Sequence, residues 1–297
     1  MSREPTGTCG QAASLGRVIR LLLLAALAAA LAACSLTRIA YGNAAPLVAF
    51  SADSWFDLRT RQKDWVRERV SLAMAWHRAS ELPEYRAFLR EALARSEDGV
   101  SEEDARWAYA KLRNYYRRAM EKMLPDMAEF LGQLDAGQAA HLEHRFAEEN
   151  EKLVKESLQG TPSERSERRA RRFIGYFEDW TGRLSPEQRE LVAARLADIP
   201  DLSQERMADR HFRQSETLAL LRGSPSHAAT IEGLRRILVD TDAWRRPQYR
   251  EKLEDRDRRM FALVGAIGAT LDTGQREYFA RELRGYLKDI DRLASQR

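Results

Sequence analysis

Few residues in this chain are spaced to do chemistry, and His141, His144 and Glu148 are the most suggestive of them. Separated by three and four positions, they share one face of a helix, where two imidazoles and a carboxylate can be offered to Zn²⁺. A closed zinc site wants four ligands, and no cysteine lies near to supply another. Solvent-facing histidines are the simpler reading, so no metal and no cofactor are expected. Signatures of catalysis are missing too. There is no Gly-rich phosphate loop, no Gly-x-Ser-x-Gly, no His-Glu-x-x-His and no paired Glu-x-x-His. The chain is therefore not expected to be an enzyme. A hydrolase whose site is assembled from distant residues stays open as an alternative.

Cys34 stands in a more telling place. It follows Leu31-Ala32-Ala33 at the end of an apolar run that starts at Leu21, behind Arg17 and Arg20. Charged flank, short apolar core and small residues before a cleavage point are the parts of a secretory signal peptide. At about 1.5 Å per residue the run reaches roughly 20 Å, against a bilayer core of about 30 Å, so it is a poor permanent span. The Leu-x-Ala-Cys ending resembles a bacterial lipobox, which implies that Cys34 is acylated and becomes the mature N-terminus. Ser35 stands where an aspartate would retain such a protein in the inner membrane. The resemblance thus implies an outer-membrane lipoprotein of a Gram-negative bacterium, with its body facing the periplasm and membrane lipid as its first partner.

Removing residues 1–33 takes away Arg3, Arg17, Arg20 and Glu4, so a net charge of +4 becomes +2 over 264 residues. That balance is no nucleic-acid footprint. Cys9 leaves with the signal and Cys34 is taken by lipid, so no disulfide can form within the mature chain. Its stability must come from a core, for which 264 residues suffice.

Charged residues make up 32% of the chain, and apolar positions recur at three and four rather than at two. The spacing predicts an all-α bundle of about ten antiparallel helices built from hairpins, over 57–79, 82–96, 101–131, 135–158, 161–182, 185–198, 201–222, 226–241, 247–269 and 272–294. Gly42, Asn43 and Pro46 mark 34–56 as a lipidated N-terminus and tether. Residues 57–297 are the helical domain, either undivided or split into subdomains near 160 or 200. Pro125 is expected to kink or split the third helix. Trp107, Tyr109, Tyr115, Tyr116, Met120, Met123 and Met127 read first as bundle core. Arg165, Arg168, Arg169, Arg171 and Arg172, offset by Glu164 and Glu167, read first as a solvated face with intrahelical ion pairs and second as a contact for anionic lipid or an acidic partner.

One pattern recurs four times. Leu58 and Gln62, Leu134 and Gln138, Leu184 and Gln188, and Leu271 and Gln275 each frame Leu-x-x-x-Gln, with apolar residues eight and twelve positions after each leucine. Asp135, Ser185 and Asp272 are good N-caps, and a glutamine three residues later completes a capping box. The leucine before each cap suits a hydrophobic staple. Arg59 fits less well, having no acceptor. The pattern also resembles the Leu-Thr-x-x-Gln motif of small periplasmic stress chaperones, all-helical and ATP-independent. That resemblance implies a membrane-tethered holding chaperone of unfolded periplasmic proteins.

A broader likeness joins Cys34-Ser-Leu-Thr-Arg-Ile-Ala-Tyr-Gly-Asn43, Trp76-His-Arg-Ala-Ser-Glu-Leu-Pro-Glu-Tyr85, Leu124-Pro-Asp126 and His141-Leu-Glu-His-Arg-Phe146. These resemble an uncharacterised family of Gram-negative lipoproteins that carries only a domain-of-unknown-function label. The favoured expectation is a lipoprotein that scaffolds or binds envelope proteins. The chaperone comes second and the hydrolase third.

Overall fold

Capping chemistry sets where the helices begin. The computed structural model describes residues 41–295, and the chain divides into two units, 1–44 and 45–297. Ten α-helices are described: α1 (Ala44–Phe56), α2 (Thr60–Arg95), α3 (Glu102–Gly132), α4 (Ala136–Ser157), α5 (Pro162–Thr181), α6 (Pro186–Ala197), α7 (Ser203–Gly223), α8 (His227–Leu238), α9 (Pro247–Gly268) and α10 (Thr273–Ser295), with a 3₁₀ turn at Thr241–Ala243. No strand occurs among the described residues. Ser101 with Asp104, Asp135 with Gln138, Thr161 with Glu164 and Ser185 with Gln188 form capping boxes. Each gives an N-terminal N–H the acceptor that the helix itself lacks. Pro162, Pro186 and Pro247 open their helices at the position where a missing N–H costs nothing.

Two boundaries and the effect of one proline differ from the spacing pattern. Within the stretch expected as a tether, 34–56, Ala44–Phe56 is helical. Pro46 falls in its first turn, where no intrahelical N–H bond is required. The helices expected at 57–79 and 82–96 are one helix of 36 residues with Pro83 inside it. An interior proline costs about 3 kcal/mol, yet α3 braces this stretch. The Arg118 guanidinium donates to both Glu81 carboxylate oxygens at 3.2 and 2.7 Å, and the Tyr115 hydroxyl donates to the Glu84 carbonyl at 3.3 Å. Pro125 likewise sits inside an unbroken α3.

The packing joins distant parts of the sequence. α10 runs along α2, α3 lies against both α8 and α9, α5 packs on α6 and α10, and α4 on α7. Leu184, Val192, Leu196 and Ile199 bury against Leu263, Ile267 and Leu271. Leu124 and Ala128 meet Leu234 and Ile237. Ala49, Leu58 and Val66 form a third cluster with Trp65, Phe130 and Leu134 around it. Burying one leucine such as Leu263 contributes about 1.5–3 kcal/mol. Residues 45–297 cluster as one unit by their contacts.

A candidate binding groove beside a glutamine clasp

The four repeats meet in pairs. Each glutamine first serves its own helix: Gln62, Gln138, Gln188 and Gln275 accept the N–H of Arg59, Asp135, Ser185 and Asp272 at 2.9, 3.2, 2.9 and 3.1 Å. The first two then bond each other, Gln62 Nε2 to Gln138 Oε1 at 3.1 Å and Gln138 Nε2 to Gln62 Oε1 at 2.9 Å. Gln188 and Gln275 do the same at 2.9 Å in both directions. The remaining amide protons reach across to the C-terminal end of the partner hairpin's incoming helix. Gln62 donates to the Gln133 carbonyl at 2.9 Å, and Gln138 to those of Phe56 and Asp57 at 3.1 and 3.0 Å. Gln188 donates to the Thr270 carbonyl and Gln275 to that of Arg183, each at 3.0 Å.

All four glutamines are buried, and every lone pair and proton of their amides is engaged. Flipping any amide would set an NH₂ group against a backbone N–H, so the network fixes each orientation. Leu58, Leu184 and Leu271 are buried beside them, and Leu134 is half-buried. Arg59 gives its helix no side-chain acceptor and pairs with Asp135 of the partner corner instead. The recurrent residues thus build two structural clasps, and none offers a polar group to a ligand.

Next to the second clasp the surface changes character. Phe173, Tyr176, Phe177 and Trp180 of α5 face Met260, Val264 and Ile267 of α9 and Phe279 of α10 around a groove of about 280 Å³ whose lining is almost wholly apolar. Tyr176 is 55% exposed and Trp180 38%. The Trp180 ring stacks on Tyr286 at 5.5 Å and tilts against Phe279 at 6.0 Å. α5 ends at Gly182, whose φ of 73° suits glycine and whose lack of a side chain lets the Tyr278 ring approach. At about 280 Å³ the groove lies at the lower edge of the about 300–1,000 Å³ that small-ligand pockets span, room for one or two apolar side chains.

The other residues picked out by type fall elsewhere. Cys34 and Ser35 lie outside the described residues. His144 pairs with Glu148 at 3.1 Å, but His141 turns to the Ser54 carbonyl at 3.3 Å. His141, His144 and Glu148 therefore do not converge, and the described residues hold no group of three or more metal-ligating side chains. In the aromatic and methionine-rich α3, Tyr115 is buried but Tyr116 is exposed, and the Tyr116 hydroxyl donates to the Leu238 carbonyl. His77 of α2 is half-buried against Tyr85, and burial pulls its imidazole below the ordinary value although Glu81 pushes the other way. The groove itself escaped the sequence, because Val100, Trp180 and Val264 meet only in three dimensions. The one available signal was the aromatic spacing of 173, 176, 177 and 180 on α5.

No helix among the described residues is long and apolar enough to cross a membrane. A family model described as a family of unknown function, DUF6279, matches residues 54–250. No curated protein and no solved structure matches the chain.

Proposed function

Since the chain belongs to that family of unknown function, we propose a role from its own residues: a lipid-anchored envelope protein that binds other proteins and performs no catalysis. Acyl chains on Cys34 tie it to the outer membrane, and the helical body works in the periplasm. The observation that carries the binding role is the apolar groove between α5, α9 and α10, with Tyr176 and Trp180 at the surface. Exposed aromatics around a small apolar recess are the usual anchors of protein interfaces.

The anchoring half of the reading draws support from α1. Leu47, Val48 and Phe50 are exposed, Phe50 by 76%, and they follow Cys34 by only 13 to 16 residues. Apolar side chains so near an acylated terminus suit the interfacial layer of a bilayer.

Photo-crosslinking in intact cells tests the binding role. A photoreactive residue at Tyr176 or Trp180 should yield discrete protein adducts, and one at the exposed Lys122 of α3 should not. Indistinguishable patterns from all three positions would remove the groove from the proposal. The anchor has its own test, incorporation of labelled fatty acid that disappears in Cys34→Ala.

A holding chaperone is the second reading. The glutamine motif behind that likeness is buried in the clasps, so a client would have to use the groove. Suppression of aggregation by the full-length protein that is lost in Trp180→Ala favours this second reading. No suppression at equal molar amounts leaves the specific binder.

A further inference from the structure

The arginine-rich helix pairs few of its charges internally. Of Arg165, Arg168, Arg169, Arg171 and Arg172, only Arg171 meets a carboxylate of α5, Glu167 at 3.6 Å. Glu164 accepts from the Thr161 N–H and hydroxyl at 2.7 and 3.2 Å and meets Arg168 only as a nearby charge, without an ion-pair contact. Arg165, Arg168 and Arg169 turn to backbone carbonyls instead, those of Gly160, Gln159 and Leu196. With Arg172 and with Arg206 of α7 they line a cavity of about 260 Å³. Two carboxylates, Glu156 and Asp201, share that lining, so five cations face two anions. Asp201 is already engaged by the Ser203 N–H at 3.0 Å, the Ser203 hydroxyl at 2.6 Å and Arg165 at 3.5 Å.

A surplus of three positive charges in one recess attracts an anion of matching charge. Arg169 feels the crowding. Burial lowers the pKa of its guanidinium, Asp201 opposes that and Arg206 adds to it, and its buried Nε has no hydrogen-bond partner. The cavity's about 260 Å³ equals the volume of about eight waters at roughly 30 Å³ each, room for one or two phosphate groups. Guanidinium forks match phosphate oxygens two at a time, whereas a single carboxylate would leave most of the surplus unanswered.

We propose that the arginine-lined cavity between α5 and α7 binds a phosphate-type oxyanion carrying two or more charges, supplied either as a soluble anion or as the phosphomonoester of a lipid headgroup. The site is separate from the apolar groove, so its test stands apart from that of the protein-binding role.

The test is titration calorimetry on the full-length protein in neutral detergent. The probes are inorganic pyrophosphate and dihexanoyl phosphatidic acid, with zwitterionic dihexanoyl phosphatidylcholine as the control of zero net charge. One-to-one binding of pyrophosphate alone assigns the soluble source, and tighter binding of phosphatidic acid assigns the headgroup. In either case Arg168→Gln with Arg172→Gln should weaken binding by about tenfold or more, as losing charge-assisted bonds does. Arg171→Gln should leave it unchanged. Arg206→Gln, on a different helix, should weaken it as well, which separates loss of the site from loosening of α5. Failure of the wild type to bind either probe, or equal affinity in the wild type and in the arginine variants of the cavity, overturns the proposal.

Discussion

Each clasp glutamine holds two structures at once, the start of its own helix and the end of another hairpin's helix. Truncating Gln188 to alanine leaves half of the buried Gln275 amide unpaired and removes the bond to the Thr270 carbonyl. An unsatisfied buried group costs about 1–3 kcal/mol, so Gln188→Ala should unfold at lower denaturant, with Gln275→Ala similar. Because the two amides bond each other, the double variant should lose less than the two losses added, by about 0.5–3 kcal/mol. Strictly additive losses in urea melts would mean that the pair does not act as a unit. His77 makes a second prediction at this scale. Its pKa is lowered in the folded protein by burial, so the unfolded chain takes up its proton first as pH falls. The stability is fully present above about 6.5, the unfolded value, and is lost as pH drops toward the lower folded value. The melting temperature of the wild type should therefore fall more steeply between pH 7.5 and 5.5 than that of His77→Gln. Parallel curves would show that His77 titrates without penalty. Much of this was legible beforehand, since Asp135, Ser185 and Asp272 announce capping boxes by type and spacing. The pairing was not. Nothing local tells Gln62 to meet Gln138 across 76 residues rather than Gln188 or Gln275.

Helices α2 and α9 illustrate how an element can be readable in outline and silent in its joints. The three-and-four spacing gives both, but Pro83 reads as a break and is not one, because Arg118 and Tyr115 of α3 hold the stretch from outside. α9 closes against the turn between α2 and α3 through two glycines. A Cβ on Gly268 would stand 1.9 Å from the Val100 carbonyl oxygen, and one on Gly265 2.7 Å from the Glu102 nitrogen. Backbone cannot yield as a flexible side-chain tip does. Gly268→Ala should therefore destabilise by about 1–3 kcal/mol or more despite alanine's better helix propensity. At roughly 2–4 °C per kcal/mol the fall is readable by calorimetry. Gly285 of α10 has nothing within 4 Å of its Cβ position, so Gly285→Ala should instead stabilise by up to about 1 kcal/mol. Two variants of the same chemistry with opposite signs test the packing rather than the propensity; equal shifts would contradict the close contact at Val100. Aromatic spacing on α5 announced an apolar face, but only the approach of α9 and α10 makes that face a groove.

Across residues 45–297 the two clasps are tied by helices that serve both. α2 and α3 leave the first clasp region, and they pack on α10 and α9, which flank the second. A cut near 160 or 200 would sever both of these contacts together with the seam of α3 on α8. A sequence cannot show this, because hairpin punctuation looks the same whether neighbouring hairpins share a core or stand apart. The consequence is cooperative. If α2–α10 and α3–α9 carry stability between the clasps, neither half can melt while the other stays native, and unfolding has one transition. Gln62→Ala in the first clasp and Gln188→Ala in the second should then move the same melting transition, each by several degrees, and the calorimetric enthalpy should equal the van't Hoff value in wild type and variants. Two resolved transitions, with Gln62→Ala shifting only one and Gln188→Ala only the other, would mean that the clasps organise separate subdomains and that the helices joining them contribute little.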